Sequence, residues 1–170
     1  GVQTCALPIW EFCSAIGRRV ITEFNYRLSH RDQAHIFVGV GTSSKNDATK
    51  LSSSLNELGY KTVDLSGSEV AKLHVRHMVG GHAVDTEHEV LCRFEFPERP
   101  GALMHFLDAL GDRWNISLFH YRNHGADFGR VLAGFEIPKS DRDQFTAFLE
   151  QLGYPYHLEL ESSAYDLFLS

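Results

Sequence analysis

The chain has 170 residues and a formal net charge of -6, with 43% apolar and 22% charged residues. This length and composition suit a folded protein of one domain or two small ones. The acidic balance and the lack of a Lys/Arg cluster argue against nucleic acid as a partner, and the apolar runs fall short of the roughly 20 residues that a membrane-spanning helix needs. Cys5, Cys13 and Cys92 form no CxxC pair, which favours a reducing, cytoplasmic location over a disulfide framework.

The first nine residues, GVQTCALPI, do not have the profile of a signal peptide. They resemble the translation of a short-read sequencing adapter, and we expect residues 1–9 to be an artefact that lies outside the fold. A genuine loop or strand at this position is the alternative. If the segment is an artefact, the natural protein continues upstream and this chain is a carboxy-terminal fragment.

A sequence repeat with an offset of about 95 residues organises the rest of the chain. Ile21–Arg27 reads ITEFNYR and Ile116–Arg122 reads ISLFHYR, while Leu58–Tyr60 and Leu152–Tyr154 are both LGY. A period of this length is that of a small domain rather than of a solenoid unit. We therefore predict two tandem copies of one α+β module, the first over residues 10–66 and the second over residues 88–170.

Hydrophobic periodicity predicts the elements of the first copy in the order helix, strand, strand, helix, strand. They cover Trp10–Ile16, Val20–Arg27, His35–Val40, Ala48–Leu58 and Tyr60–Leu65. The opening strand is missing, because the suspect nine residues stand where it should lie. An open sheet edge at that position would favour association or partial disorder. Residues 67–87 then form a connection that contains a helix over Ser68–Met78 and a polar linker.

The second copy shows the full order strand, helix, strand, strand, helix, strand. Its predicted elements are Glu89–Phe96, Ala102–Leu110, Trp114–Tyr121, Arg130–Ile137, Arg142–Leu152 and Tyr156–Leu160, with Gly111 and Gly153 closing the two helices. This order with these lengths is the ferredoxin-like pattern, in which two helices cover one face of a four-stranded sheet. The fold class is therefore α+β, with two tandem ferredoxin-like modules of which the first lacks its opening strand.

Motifs of the common nucleotide-binding, zinc-protease and hydrolase sites are absent from the sequence. His74 and His77 lie one helical turn apart and are candidates for a metal site, but surface histidines are the stronger reading, because no cysteine or carboxylate pair lies at ligand spacing. His120 and His124 are candidates for acid–base groups. Hydrogen-bonding roles are favoured there, because the first copy has Asn25 in place of His120. We predict no catalytic residue and no metal ligand.

The Pro-Gly loop before the first helix of the second copy is the strongest candidate for a binding site. Its glycine lets the backbone approach a ligand, and the helix that follows offers unpaired N–H groups that suit a carboxylate. Apolar side chains line one face of that helix, and a tyrosine with one polar tip recurs in both copies. The residues are Pro100, Gly101, Leu103, Leu107, Leu110, Tyr26 and Tyr121. Together they fit a branched amino acid; the alternative is that the leucines are plain core and the tyrosines close the sheet edge.

Several long motifs of the chain are similar to one known family. AKLHVRHMVGG (71–81), FEFPERPGAL (94–103), WNISLFHYRNHGADFGRVLAGFE (114–136) and ITEFNYR (21–27) resemble the carboxy-terminal regulatory region of biosynthetic threonine ammonia-lyase, also called threonine deaminase. The similarity covers nearly everything after Trp10. It implies two ACT-like modules, and by motif it places the effector-site residues of the family at Tyr26, Arg27, Tyr121 and Arg122.

The resemblance also implies what the intact parent protein does. The family enzyme is a homotetramer whose amino-terminal domain binds pyridoxal phosphate and converts threonine to 2-oxobutanoate and ammonia, in isoleucine biosynthesis. Isoleucine inhibits through the regulatory region and valine opposes it. This chain has no counterpart of the pyridoxal-phosphate domain, so we expect neither a cofactor nor catalysis in it. A free-standing ACT-like sensor that acts on another protein is the main alternative, and a small ferredoxin-like enzyme fits the duplicated Tyr-Arg motif badly.

Overall fold

The computed structural model describes residues 7–30, 33–69, 87–123, 125 and 127–159. We call residues 7–69 the first module and residues 87–159 the second module. The first module contains helix α1 (Leu7–Ile16), strands β1 (Ile21–His30) and β2 (Gln33–Val40), and helix α2 (Lys45–Glu57). The second contains β3 (Glu89–Pro97), α3 (Ala102–Leu110), β4 (Asn115–Arg122), β5 (Phe128–Glu136), a 3₁₀ turn (Lys139–Asp141), α4 (Arg142–Leu152) and β6 (Tyr156–Glu159).

The strands of both modules form one antiparallel sheet in the order β2-β1-β4-β5-β3-β6. Within the second module the order β4-β5-β3-β6 is that of a complete ferredoxin-like fold. Each of the helices α1 to α4 contributes to one hydrophobic cluster with the sheet, through residues such as Phe12, Leu55, Phe106 and Phe148. The predicted α+β class and the tandem ferredoxin-like modules are therefore confirmed.

The two modules meet through β1 and β4, the two strands that carry the repeated motif. The pairing runs from Glu23 opposite Arg122 to Arg27 opposite Leu118. When 95 is added to the β1 residue of a pair and subtracted from its β4 partner, the result is again a pair of this ladder. The pair of Asn25 and His120 is converted into itself. A pseudo-twofold axis therefore passes between Asn25 and His120, and each module presents the same strand to the other.

Most predicted elements agree with the structure, and both helices of the second module have the predicted ends. The strand expected over Tyr60–Leu65 is wrong, because residues 60–65 have no strand conformation. In the second module the corresponding strand, β6, pairs with the opening strand β3. The described part of the first module has no opening strand, so residues 60–65 have no edge on which to form a ladder.

Some predictions fall on segments that the structure does not describe. Nearly all of the connecting helix (Ser68–Met78) lies outside the described residues, as do His74, His77 and His124. Residues 7–9 of the suspected artefact, in contrast, belong to α1, and Ile9 is completely buried in the core.

Candidate functional site

A cleft of about 220 Å³ lies where the two modules meet. One wall is the α1–β1 connection of the first module, and the other is the β3–α3 loop of the second module with Tyr121 of β4. This volume is below the range of drug-sized ligand pockets and suits a single small metabolite. The residues that line it are Arg18, Arg19, Val20, Ile21, Phe96, Pro97, Glu98, Arg99, Pro100, Gly101, Ala102, Leu103 and Tyr121.

The floor of the cleft is the start of helix α3. Gly101 immediately before the helix has a φ of 89°, in the left-handed region that favours glycine. The N–H of Ala102 donates to the carbonyl oxygen of Arg99 at 3.2 Å, which closes the loop. The next amides of the first turn have no partner within the helix, so a partial positive charge lies at this end of α3, where Ala102 and Leu103 line the cleft.

The β3–α3 loop also carries a carboxylate, that of Glu98, in the lining of the cleft. Glu98 accepts hydrogen bonds from the hydroxyl of Tyr121 at 2.8 Å and from the side-chain amide of Asn123 at 2.7 Å. Burial, and next the neighbouring Glu98, raise the pKa of Tyr121 above its usual range. Tyr121 therefore stays a neutral donor at physiological pH and orients the Glu98 carboxylate.

Gly129 is required for this arrangement. A Cβ on Gly129 would collide with the ring of Tyr121 and would lie 2.5 Å from Oε1 of Glu98. The absence of a side chain in β5 thus allows the phenol and the carboxylate to lie against the strand. Glycine serves here for close approach rather than for its backbone angles.

Arginine side chains give the cleft its positive charge. Arg19 donates to the Ile16 carbonyl oxygen at 3.1 Å and to Oδ1 of Asp47 at 2.6 Å, which ties the α1–β1 connection to α2. Its Nε is buried and has no hydrogen-bond partner among the described residues. Arg18 and Arg99 also line the cleft. The cleft therefore combines cationic groups, one carboxylate and the apolar side chains of Val20 and Leu103.

Four of the residues predicted from the sequence come together in this cleft: Pro100, Gly101, Leu103 and Tyr121. Leu107 and Leu110 do not line it, because they point into the core, where both are almost completely buried. The alternative interpretation, that this leucine stripe is core, therefore holds for these two positions.

The remaining predicted residues lie elsewhere. Tyr26 is buried on the helix-covered face of β1, in the hydrophobic cluster. Arg27 points to the opposite face, where it donates to Oε1 of Glu89 at 2.6 Å. Arg122, in β4, is half-buried and lies in register with Glu23 of β1, outside the cleft lining.

The two copies of the repeat do not build equal sites. By the offset of 95, the counterparts of Asn123 and Gly129 are Leu28 and Ala34. The polar cluster around Tyr121 therefore has no equivalent around Tyr26 at these two positions. Sequence reasoning missed Glu98, Arg19, Asn123 and Gly129. The difference between the copies is a signal for Asn123 and Gly129, whereas no repeat or periodicity marks Glu98 and Arg19.

Among the described residues, no group of His, Cys, Asp and Glu could hold a metal ion. The described part of the chain has no helix that is long and apolar enough to cross a membrane. Cys13 and Cys92 are buried, and burial raises the pKa of each thiol to about 12. Both therefore remain protonated and act as small apolar side chains.

The fold and the cleft together define a pair of ferredoxin-like modules with a site for a small molecule at their junction. The chain belongs to the family of C-terminal regulatory domains of threonine dehydratase, whose model matches residues 9–75 and 80–169. This confirms the family resemblance carried by the sequence motifs.

Full-length relatives agree with this assignment. The chain is 51% identical over 161 residues to the biosynthetic L-threonine dehydratase IlvA of Escherichia coli strain K12, which covers 94% of this chain and 31% of that protein. It is 50% identical over 159 residues to the enzyme of the same name from Burkholderia multivorans, with the same coverage. The mitochondrial threonine dehydratase of Saccharomyces cerevisiae is 46% identical over 160 residues, 89% of this chain and 28% of that protein. The chain thus spans about a third of the length of these relatives.

Proposed function

We propose that this chain binds isoleucine in the cleft at the module junction and thereby regulates a threonine dehydratase. The observation that carries the proposal is the presence of both signs of charge in one small cleft with an apolar wall. A free amino acid is a zwitterion with an apolar side chain, so it can use all three features at once.

Each part of the ligand has a matching group. Its carboxylate suits the open amides at the start of α3 and the neighbouring arginines. Its ammonium suits the carboxylate of Glu98, which Tyr121 and Asn123 hold in place. Its branched side chain packs against Val20, Ile21 and Leu103. Tyr26, Arg27 and Arg122 lie outside the cleft lining, and in this proposal they support the surrounding structure without contacting the ligand.

Regulation follows if the ligand favours one arrangement of the two modules, because residues of both modules line the cleft. Isoleucine and valine differ by one methylene, which is worth about 0.8 kcal/mol when fully buried, or roughly fourfold in affinity. So small a difference does not explain opposite effects by itself. We therefore propose that valine opposes isoleucine by favouring a different module arrangement.

The reaction of the intact dehydratase belongs to the part of the protein outside this chain. Its relatives are threonine dehydratases, which supports a parent enzyme that acts on threonine. From the family resemblance we further propose that this parent forms 2-oxobutanoate and ammonia and works as a homotetramer. Pyridoxal phosphate binds such enzymes through a Schiff base to lysine. The residues that line the cleft include no lysine, so they do not fit this cofactor. The dehydratase relatives also disfavour a free-standing sensor that acts on an unrelated protein.

Titration calorimetry with three ligands tests the proposal. Isoleucine should bind saturably, whereas N-acetylisoleucine, which lacks the ammonium, and isoleucinamide, which lacks the carboxylate, should each bind at least about tenfold more weakly. Glu98→Gln should weaken isoleucine binding by a similar factor, and Glu95→Gln, at an exposed position of β3, should not. No heat and no thermal shift with millimolar isoleucine on folded protein would refute the proposal, as would equal affinities of the two variants.

A further inference from the structure

The LGY motif follows the second helix of each module, but its residues have different surroundings in the two copies. Leu152 is 6% exposed, whereas its counterpart Leu58 is 65% exposed. Gly153 ends α4, and Tyr154, the last residue of the motif, is buried. The tyrosine of the second copy therefore lies inside the molecule, close to the start of α3.

Tyr154 contacts residues that line the cleft, although it is not itself part of the lining. Its hydroxyl donates to the carbonyl oxygen of Ala102, the first residue of α3, at 3.1 Å. Its ring packs against that of Phe96 in β3, with the ring centroids 5.0 Å apart. Phe96 and Ala102 lie on either side of the β3–α3 loop. One buried side chain thus contacts the loop before and after its turn.

The same hydroxyl is close to a positive charge of the cleft. Burial raises the pKa of Tyr154, and the neighbouring guanidinium of Arg99 opposes that shift. Arg99 is exposed and lines the cleft, and its carbonyl oxygen accepts the Ala102 N–H at 3.2 Å. The Tyr154 hydroxyl is therefore adjacent both to Arg99 and to the first turn of α3. These are two of the groups that suit the carboxylate of the ligand.

Tyr60, the counterpart of Tyr154 in the first module, has different contacts. Its ring is partly buried and packs edge-on against Phe12, with the ring centroids 5.3 Å apart. Burial, and next the carboxylate of Glu11, raise the pKa of Tyr60. The cleft lining includes neither Phe12 nor Glu11. The motif is thus shared by the two modules, whereas these contacts with the cleft belong to Tyr154.

We propose that Tyr154 is a positioning residue of the isoleucine site, an inference that rests on the proposed function. It does not touch the ligand. Its hydroxyl fixes the first turn of α3 and the guanidinium of Arg99 in the places where they meet the ligand's carboxylate. Without the hydroxyl, these groups must be ordered when the ligand binds, and the cost of that ordering lowers the affinity.

Titration calorimetry on the unchanged chain, Tyr154→Phe and Tyr60→Phe tests this role, with isoleucine and isoleucinamide as ligands. Tyr154→Phe should weaken isoleucine binding about tenfold and isoleucinamide binding less than about twofold, because isoleucinamide lacks the charge that the positioned groups bind. Tyr60→Phe, the matched control, should leave both affinities unchanged. A merely structural role of the Tyr154 hydroxyl would weaken both ligands by the same factor.

A second measurement leaves the protein unaltered, so it does not depend on whether Tyr154→Phe folds. When the tyrosines are isotope-labelled at Cζ, the NMR signal of Tyr154 reports on the hydrogen bonds of its hydroxyl. Saturation with isoleucine should shift this signal, because the ligand's carboxylate attracts the neighbouring guanidinium of Arg99. The signal of Tyr60 should stay in place.

The possible failures of the inference and of the proposed function are distinct. Equal isoleucine affinities of the unchanged chain and Tyr154→Phe would overturn the inference and leave the proposed function intact. Equal losses for isoleucine and isoleucinamide, or an unmoved Tyr154 signal at saturating isoleucine, would do the same. No isoleucine binding by the unchanged chain would overturn the proposed function and this inference together.

Discussion

A buried ion pair on the face of the sheet away from the hydrophobic cluster joins the two modules. Arg27 of β1 donates to Oε1 of Glu89 at 2.6 Å and to the carbonyl oxygen of Ser117 at 3.4 Å, and the Ser117 hydroxyl donates to the same carboxylate. The side chains of Arg27 and Glu89 are only 7% and 3% exposed. We predict that Arg27→Met strongly destabilises the chain.

The size of the effect follows from the burial. Removal of one partner takes away the opposite charge beside a buried charge, which typically costs about 3–5 kcal/mol. Domains of this kind have a total stability of about 5–15 kcal/mol, so this loss is a large part of it. With an m-value of about 2 kcal/mol/M, the midpoint of urea unfolding should fall by about 2 M.

The assay is urea unfolding of the unchanged chain, Arg27→Met, Glu89→Gln and the double variant. The double variant should lose much less than the sum of the single losses, because the two residues act on one interaction. Arg93→Met is the matched control, since Arg93 pairs with Glu159 in β6 but its side chain is 60% exposed, and we expect it to cost at most about 1 kcal/mol. A loss below about 1 kcal/mol for Arg27→Met, or additive losses in the double variant, would refute the reasoning.

Three further predictions follow from single positions. Gly129→Ala displaces Tyr121 and Glu98, so isoleucine binding measured by calorimetry should weaken at least about tenfold. The control Gly67→Ala, where a Cβ meets nothing within 4 Å, should leave isoleucine binding unchanged. Equal isoleucine affinities of the two variants would contradict the prediction. Leu152→Ala should lower the free energy of unfolding, measured with urea, by about 2–5 kcal/mol, and Leu58→Ala should lower it by less than about 0.5 kcal/mol. Similar losses for the two variants would be inconsistent with the unequal burial of these leucines. The raised pKa of Tyr121 means that the unfolded chain ionises this residue first, so stability should fall as pH rises above about 10. The fall should be shallower in Tyr121→Phe, and an unchanged slope would count against the burial of the phenol.

The sequence was sufficient for elements whose determinants are local. Helices Ala102–Leu110 and Arg142–Leu152 each have an apolar stripe and a glycine at the carboxyl end, and their predicted ends agree with the structure. The strand at Tyr60–Leu65 has similar local signals but lacks a neighbouring edge, and it does not form. A strand depends on a partner that can be far away in the sequence, so its local pattern is not enough.

The residues of the candidate site also differ in how well the sequence predicts them. Gly101 and Tyr121 stand out in the sequence because a turn residue and a repeated motif mark them. Glu98 and Arg19 lie in loops without periodicity, and they reach the same cleft only because β1 pairs with β4. Adjacent residues of a strand point to opposite sides of the sheet, so Arg27 faces away from Tyr26. The repeated Tyr-Arg motif therefore cannot place both of its residues in one site.

A crystal structure of the 170-residue chain grown with millimolar isoleucine tests the central claim most directly. We predict one isoleucine molecule in the cleft at the module junction, with its ammonium at Glu98, its carboxylate at the first turn of α3 and its side chain against Val20 and Leu103. A cleft without ligand, or isoleucine bound only elsewhere in the chain, would contradict the account.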